Sequence, residues 1–525
     1  MNAAPAPLLT TAAALMRWCQ AHRGSCPLHF VPTMGALHAG HQQLIARAAR
    51  SHGPTRPAVL VSVFVNPLQF GAGEDYSRYP RQLQQDLQTA TEAGATALWA
   101  PEAAAIYPDG PDAVTRIVPP AELSGGLCGG SRPGHFEGVA TVVARLLALV
   151  RPDRLFLGEK DWQQLLVLRR MVADLGLPVR IEACGTVRDG DGLALSSRNA
   201  YLSPAQRLQA LALPQALRQA ATTAATHGSD QGQRLTDQVR QQLEAAGLAT
   251  DYVALVAAHT LKPLPRPEGL TLLAAAVHCG PARLIDHVFV MSRAPIVAID
   301  GPAGAGKSTV TKAFAARLGL VYLDTGAMYR ALTWWVQHQG ADPADAAAVE
   351  PLLMGLDLQL GVAAETAAGG QRVSINGHDV TAAIRSPEVT AQVSTVAAHA
   401  CVRAALTAQQ QAMGQRGGLV AEGRDIGTAV FPDAELKVFL TATVAERARR
   451  RALDLEQRGF AVPALDELEA QIAERDHLDS TRAVAPLLQA ADAIELVTDG
   501  MAIETVIQSL VDLFRQRVPE DAWPG

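Results

Sequence analysis

Two stretches of the chain carry the same order of apolar and polar positions. LHFVPTMGALHAGHQQLIARAAR (28–50) opens on a short apolar run, passes a glycine-containing turn and continues with helical spacing. APIVAIDGPAGAGKSTVTKAFAARLG (294–319) repeats that order. A strand without a polar face, followed by a turn and a helix, opens a parallel α/β domain, because helices cover both faces of such a sheet. The pattern therefore predicts two nucleotide-handling α/β modules in one chain. Between them, AVLVSVFVN from Ala58 reads as a buried strand running to Asn66 and closed by Pro67. Residues 200–250, rich in Ala, Gln and Leu with Pro204 near the start, read as helices. LKPLPRPEG (261–269) reads as a proline-rich loop, and TLLAAAVHCGPARLIDHVFV (271–290) as a hairpin closing the first half. In the second half, Asn376-Gly377 within RVSINGHDVTAAI (372–384) predicts a tight hairpin. ERARRRALDLEQRG (446–459) reads as an arginine-rich helix after the strand LKVFLTA. No internal repeat is visible.

Composition narrows the classes. A chain of 525 residues, at roughly 150 per domain, predicts three or four domains. With 48% hydrophobic and 18% charged residues it is an ordinary globular sequence. The net charge of −6 gives no basic surface for nucleic acid. The charge is uneven, near +3 over residues 1–292 and −9 over 293–525. Only five of the 45 cations are lysines (Lys160, Lys262, Lys307, Lys312 and Lys437), so each is a candidate for a specific role. The six cysteines form no CxxC pair, which argues against a disulfide framework or a zinc site. No basic segment precedes the apolar N-terminal stretch, and no run of 18 uncharged apolar residues occurs, so neither a signal peptide nor a membrane span is expected. The expectation is a reduced, cytoplasmic, multidomain protein with no nucleic-acid or membrane partner.

The sharpest motif is GPAGAGKS (301–308), which fits GxxxxGK[ST] between a strand and a helix. Its glycines let backbone N–H groups wrap a β-phosphate, Lys307 reaches the β- and γ-phosphates, and Ser308 can ligate Mg²⁺. Gly301, Pro302, Ala303, Gly304, Ala305, Gly306, Lys307, Ser308 and Thr309 are thus the expected ATP loop. No NKxD guanine-reading motif accompanies it. Arginines gather instead in LDTGAMYR, EGRDIGT and ERDHLDSTR, and the run Arg447, Arg449, Arg450 and Arg451 reads as a mobile lid that screens phosphoryl charge.

In the first half, PTMGALHAGH (32–41) places His38 and His41 three apart at a helix start, where imidazole N–H groups and the helix dipole meet phosphates. Capping or surface roles are the alternative reading of that pair taken alone. GEKDWQQL (158–165) adds Lys160 as a cation for phosphates, DGLALSSRN (191–199) adds hydroxyls and Arg198, and FVNPLQF (64–70) adds the amides of Asn66 and Gln69 for a small polar substrate.

These residues carry two resemblances. Residues 8–290, through HxGH, GEKD, SSRNAYLS and GGLCGGSRPGHFEGVATVV, resemble pantothenate synthetase (pantoate–β-alanine ligase). The resemblance implies a Rossmann-like HxGH nucleotidyltransferase-type domain over about 1–190, with a smaller C-terminal subdomain over 191–292. It implies ATP bound by Met34, Gly35, Ala36, Leu37, His38, Ala39, Gly40, His41, Gly158, Glu159, Lys160, Asp161, Val187, Leu195, Ser196, Ser197 and Arg198. His41 would be the acid, with His38 and Lys160 steadying phosphate charge; Gln69 and Gln164 would hold pantoate, with Gln69 also near β-alanine. A homodimer through this half is part of the same expectation. Residues 294–517 resemble cytidylate kinase, which implies a P-loop nucleoside monophosphate kinase domain with a parallel sheet over 293–525. Here Ser394, Arg403 and Asp425 would read cytosine, Arg330, Arg424 and Arg482 would hold the CMP phosphate, and Arg475 and Asp479 would face its sugar. Thr325 would stand in the CMP site where relatives carry Ser. The expected chemistry is ATP-dependent condensation of pantoate with β-alanine through pantoyl adenylate, and phosphorylation of CMP or dCMP, each with Mg²⁺ and ATP. The alternatives are an HxGH nucleotidyltransferase, a dephospho-coenzyme A kinase in the second half, and a non-catalytic module, which predicts decayed motifs.

Overall fold

In the computed structural model, which describes residues 5–50, 55–71, 73–227, 232–361, 371–457, 459 and 461–524, the chain forms two units. The first is Met1–Ser292 together with Pro519–Pro524, and the second is Arg293–Val518.

The first unit is built on an all-parallel sheet of β1 (Leu8–Leu9), β2 (Leu28–Thr33), β3 (Ala58–Val63), β4 (Ala97–Trp99), β5 (Arg154–Gly158) and β6 (Arg180–Cys184), in the order β1-β4-β3-β2-β5-β6. Strand residues alternate between two cores. Leu28, Phe30, Leu60 and Leu155 meet the helices Ala12–His22, His135–Val150 and Trp162–Asp174. Val31, Val59, Val61 and Phe156 meet the helices Ala39–Ala48 and Leu83–Glu92. The chain runs outward from β2 through β3 and β4, then returns to β2's other side as β5. The order therefore reverses between β2 and β5, and the loops after these two strands open into one crevice, the usual ligand position in open α/β sheets.

The buried run from Ala58 ends as a strand at Val63, three residues before the expected Asn66. Phe64 still donates its N–H to Thr33 O at 3.0 Å, but Asn66 turns off the sheet and caps the short helix Pro67–Gln69. Gly138 makes room for this turn, because a Cβ there would lie 2.0 Å from Leu68 O. Residues 200–250 form the helices Pro204–Ala210, Ala212–His227 and Gly232–Ala245, with 228–231 outside the described residues. The hairpin at 271–290 is β8 (Leu270–Cys279) and β9 (Ala282–Met291), and β7 (Ala249–Ala257), which the sequence pattern did not reveal, completes an antiparallel sheet.

The second unit centres on β10 (Ile296–Asp300) in the parallel order β11-β15-β10-β16-β17, with β11 Val321–Asp324, β15 Leu419–Gly423, β16 Leu436–Thr441 and β17 Ile494–Val497. A small antiparallel sheet, β12 (Leu358–Leu360), β13 (Val373–Ile375) and β14 (His378–Asp379), falls between β11 and β15 in chain order. Its turn carries Asn376 at φ 48° and Gly377 at φ 80°, the two positive values a primed hairpin turn needs. The arginine-rich helix is Val444–Gln457, and Arg458 lies outside the described residues. Among the described residues no helix is long and apolar enough to cross a membrane.

Gly138→Ala should lower stability by about 1–3 kcal/mol through backbone overpacking, read from urea unfolding. Gly190→Ala, with open space around the added Cβ, should leave the transition within about 0.5 kcal/mol of the parent.

Candidate active sites

In the first unit the loop after β2 is held open by one buried carboxylate. Asp86, on the helix Leu83–Glu92, accepts the N–H groups of Ala36 (3.1 Å) and Leu37 (2.8 Å), while Thr33 Oγ accepts that of Gly35 (3.1 Å). Gly35 (φ 87°) and Ala36 (φ 52°) take the left-handed backbone this wrap requires. His38 then caps the helix Ala39–Ala48: its Nδ1 accepts the Gly40 N–H (3.2 Å), and His41 Nδ1 accepts the His38 N–H (3.3 Å). With both Nδ1 atoms accepting, each neutral ring carries its proton on Nε2. Burial, with the Lys160 charge second, lowers the His38 imidazole to about 4. Burial, with His38 second, lowers His41 to about 3. Both rings are therefore hydrogen-bond donors without net charge at neutral pH, and their centroids lie 4.1 Å apart.

The loop after β5 presents Gly158, Glu159, Lys160 and Asp161, with Lys160 Nζ 3.6 Å from Asp161. Beyond β6, Leu195 N–H bonds Val187 O (2.9 Å) and closes a turn over 188–194, after which Ser196 caps the short helix Ser197–Tyr201 that carries Arg198. Arg198 is forked onto Asp75 at 2.9 and 3.0 Å, and Ser197 Oγ meets Tyr79 OH at 3.0 Å. Lys160, Asp161, Gln164, Ser196 and Arg198 line one cavity of about 400 Å³, together with Arg132 and His135. The HxGH loop, Gly158, Val187, Leu195, Ser197 and Gln69 do not line it, so the cavity gathers only part of the expected set. Asn66 is buried, donating to Gly138 O (3.1 Å) and accepting from Tyr107 OH (2.8 Å) and Leu68 N–H (3.2 Å). Its amide is thus committed to the turn that bears Gln69 and, unlike the expected substrate contact, is 1% exposed. Gln69 O in turn accepts from His135 Nδ1 (2.9 Å).

In the second unit the loop after β10 is shaped by glycine. A Cβ on Gly301 would lie 2.0 Å from Leu440 O, and Gly304 and Gly306 hold φ of 76° and 84°. Lys307 is buried and folded onto Gly301 O (2.7 Å) and Pro302 O (2.8 Å). Burial first, then Arg424, brings its amine down to about 7. Ser308 Oγ donates to Glu422 Oε1 at 2.5 Å, and the other Glu422 oxygen is buried without a hydrogen-bond partner. Burial and the Asp324 charge raise the Glu422 carboxyl. A serine hydroxyl beside an unsatisfied carboxylate oxygen suits a hard divalent cation. Asp300 accepts the N–H groups of Ile426 (2.8 Å) and Gly427 (2.7 Å), fixing the EGRDIG segment.

Around that segment Arg403 pairs with Asp425, Arg424 with Asp479 (2.9 Å), Arg330 with Asp324 (3.1 Å), and Arg482 stands 3.6 Å from Asp425 and 3.8 Å from Asp479. One buried N–H on each of Arg330, Arg403, Arg475 and Arg482 has no hydrogen-bond partner. Thr325 Oγ donates to Glu422 O (2.6 Å), and Ser394 lies half-buried on the helix Pro387–Ala398. Two arginines of the run expected to form a lid touch the phosphate loop directly. Arg447 is buried, clamped by Asp476 (2.6 Å) and bonded to Ala303 O (3.2 Å), and Arg450 bonds Ala305 O (3.1 Å), so both brace the phosphate loop. Arg449 and Arg451 pair locally with Glu446 and Asp454.

Asp75, Asp86, Arg132, His135, Asp300 and Glu422 escaped the sequence reading. Arg132 and His135 lie in GGLCGGSRPGHFEGVATVV, Asp300 just before the phosphate loop and Glu422 in EGRDIGT, but the partners that give each its role stand elsewhere in the chain.

A Rossmann-like unit with a histidine-capped crevice and a P-loop unit with an arginine-lined acceptor site define an α/β enzyme with two ATP-using sites. The profile of pantoate-beta-alanine ligase matches residues 7–289, and that of cytidylate kinase matches 297–516. The bifunctional pantoate ligase/cytidylate kinase of Parasynechococcus marenigrum (strain WH8102) is 66% identical over 95% of this chain and 96% of its own. That of Prochlorococcus marinus (strain MIT 9313) is 64% identical over 95% and 97%. The crystal structure of pantothenate synthetase from Thermus thermophilus is 46% identical with a TM-score of 0.50, covering 54% of this chain and 98% of that one. The chain belongs to the bifunctional pantoate ligase/cytidylate kinase family.

Two outcomes follow from the geometry. Both histidine values lie below the ordinary 6.5, so below that pH an unfolded chain binds protons the folded one refuses, and the first unit loses stability as pH falls toward 4. Selective-label NMR should accordingly find His38 and His41 untitrated between pH 8 and 5; a ring titrating near 6.5 refutes the neutral pair. Glu422→Gln should reduce kinase turnover by about 10²-fold and raise the Mg²⁺ concentration needed for half-maximal rate.

Proposed function

We propose that the first unit joins pantoate to β-alanine at the HxGH crevice, and that the second phosphorylates CMP and dCMP at the arginine-lined site. In the first reaction pantoate carboxylate attacks the α-phosphorus of ATP, pyrophosphate leaves, and the β-alanine amine displaces AMP from the acyl carbon. The helix N-terminus and the Nε2–H groups of His38 and His41 receive the polyphosphate, with Lys160 as the nearby cation. His41 donates to the departing pyrophosphate, whose charge draws its imidazole back toward protonation. Gln69 and Gln164 orient pantoate, and Asn66 and His135 hold the turn that carries Gln69. Positioning and charge stabilisation carry this chemistry, since forming an acyl adenylate needs no covalent help from the protein.

For the second reaction, the observation that carries the reading is the set of buried, unpartnered arginine N–H groups on Arg330, Arg403, Arg475 and Arg482. Buried donors of this kind cost stability unless a ligand pairs them, and a nucleoside monophosphate supplies acceptors on phosphate, sugar and base. Asp425 would accept from the cytosine amine, with Arg403 and Ser394 donating to ring acceptors. Arg330, Arg424 and Arg482 would take the phosphate, Arg475 and Asp479 would face the sugar, and Thr325 would fix the loop beneath. Lys307 leaves the loop carbonyls for the β- and γ-phosphates of ATP. Mg²⁺, when bound with ATP, neutralises phosphate charge, and Ser308 and Glu422 are the groups that would hold it. Six free cysteines suit a reducing cytoplasm, and pairing of two copies through the ligase half belongs to the same reading.

Incubation with Mg·ATP and chromatographic separation of nucleotides tests both halves. Pantoate plus β-alanine should yield AMP and pantothenate, and CMP should yield ADP and CDP. His41→Ala should abolish only the first reaction and Lys307→Ala only the second, each by about 10²-fold or more. ADP formed with dephospho-coenzyme A but not with CMP would overturn the acceptor assignment.

A further inference from the structure

Residues 519–524 fall outside both family matches, 7–289 and 297–516, yet they are part of the first unit. Their contacts converge on the segments that flank the nucleotide crevice. Glu159, only 1% exposed, accepts the backbone N–H groups of Glu520 and Asp521, both at 2.8 Å. The Glu520 carboxylate accepts the Gly185 N–H at 3.0 Å and pairs with Arg47 at 2.5 Å. Asp521 accepts the Thr186 N–H at 2.7 Å as well as the Thr186 hydroxyl, and it stands 3.8 Å from His287 Nε2. This strap thus ties together the helix that begins with the HxGH histidines, the GEKD turn, and the backbone immediately before Val187.

We propose that the strap Pro519–Pro524 is a positioning element of the ligase's ATP site, holding Glu159 and the 185–187 backbone in the geometry that receives the nucleotide. This rests on ATP binding at the HxGH crevice. Three features carry it. First, Glu159 adjoins Lys160, and a buried carboxylate deprived of two N–H donors must find another partner or neutralise. Burial, with the Asp521 charge second, already pushes its carboxyl up to about 7. Second, Gly185 and Thr186 lie between β6 and Val187, so their amides set where the Val187 backbone stands. Third, the strap lines no part of the 400 Å³ cavity, and the bonds of Glu520 and Asp521 run to Glu159, Arg47, Gly185 and Thr186, not to Lys160 or Ser196–Arg198. It therefore reaches the site through Glu159, the 185–186 backbone and the nearby His287, and leaves the phosphate-facing Lys160 and Ser196–Arg198 without a bond to the strap.

The experiment compares the intact chain with a chain ending at Val518 and with the isosteric double variant Glu520→Gln, Asp521→Asn, which keeps the strap's backbone bonds to Glu159. The intact chain is first shown to make pantothenate; if it does not, the functional reading falls and the strap proposal with it. Given that activity, truncation should raise the ligase KM for ATP about tenfold with kcat within about twofold, the signature of lost binding. The double variant should raise it by less. The KM for pantoate and the CMP kinase rates should stay unchanged in both. The synthetic peptide VPEDAWPG, added at millimolar concentration to the truncated enzyme, should restore the parent KM for ATP. Overturning results are an unchanged KM for ATP in both variants, a lowered one (a strap that obstructs the site), or a fall in kcat alone. Should the truncated chain fail to fold, the double variant decides by the same KM comparison.

Discussion

A buried carboxylate that accepts two consecutive backbone N–H groups is the constraint on which each catalytic face depends. Asp86 holds Ala36 and Leu37, and Asp300 holds Ile426 and Gly427. Loops at the carboxyl edge of a parallel sheet must keep their mouths open for phosphate, so they cannot be stabilised by pairing among their own backbone groups. A carboxylate reaching in from another element solves this, because it takes up adjacent donors without closing the loop. Burial opposes its ionisation, which is visible at Asp300, whose carboxyl is pushed up to about 6 while the two N–H bonds pull the other way.

The two sites then handle phosphate charge differently. The first presents neutral imidazoles, a helix terminus, Lys160 and an Arg198 already paired with Asp75. The second presents five arginines, four of them already beside three aspartates, with some donors left over. Pre-formed pairs keep the guanidinium groups oriented before substrate arrives, so little reorganisation accompanies binding. The net charges run the opposite way, since the acidic half of the chain holds the more cationic site. A sum over a chain is dominated by exposed residues, whereas a binding site is a local excess sheltered from solvent.

Much of this was legible in order along the chain. Both strand–turn–helix openings, the Asn376-Gly377 hairpin and the phosphate loop depend on neighbours within a few residues, so local pattern suffices to read them. The same holds for Lys307, Ser308, His38 and His41, whose expected roles follow from their place at a helix start. Reading failed where a residue's meaning lies in a distant partner. Asn66 resembles a free amide until Tyr107 and Gly138 are seen to claim it, and nothing local tells that Arg447 and Arg450 bond Ala303 O, Ala305 O and Asp476. β7 went unseen because its strand character depends on pairing with β8.

What the chain determined alone, then, is the kind of module, the phosphate loops and the chemistry class, because backbone propensity, glycine freedom and motif spacing are short-range properties. Tertiary structure decided which carboxylates open the loops, which arginine donors stay unpaired, and that residues 519–524 belong with the first unit. Those outcomes turn on burial and on contacts between residues up to 473 positions apart, as between Arg47 and Glu520. Hydrogen bonds that close over such separations leave no periodicity in the sequence by which to recognise them.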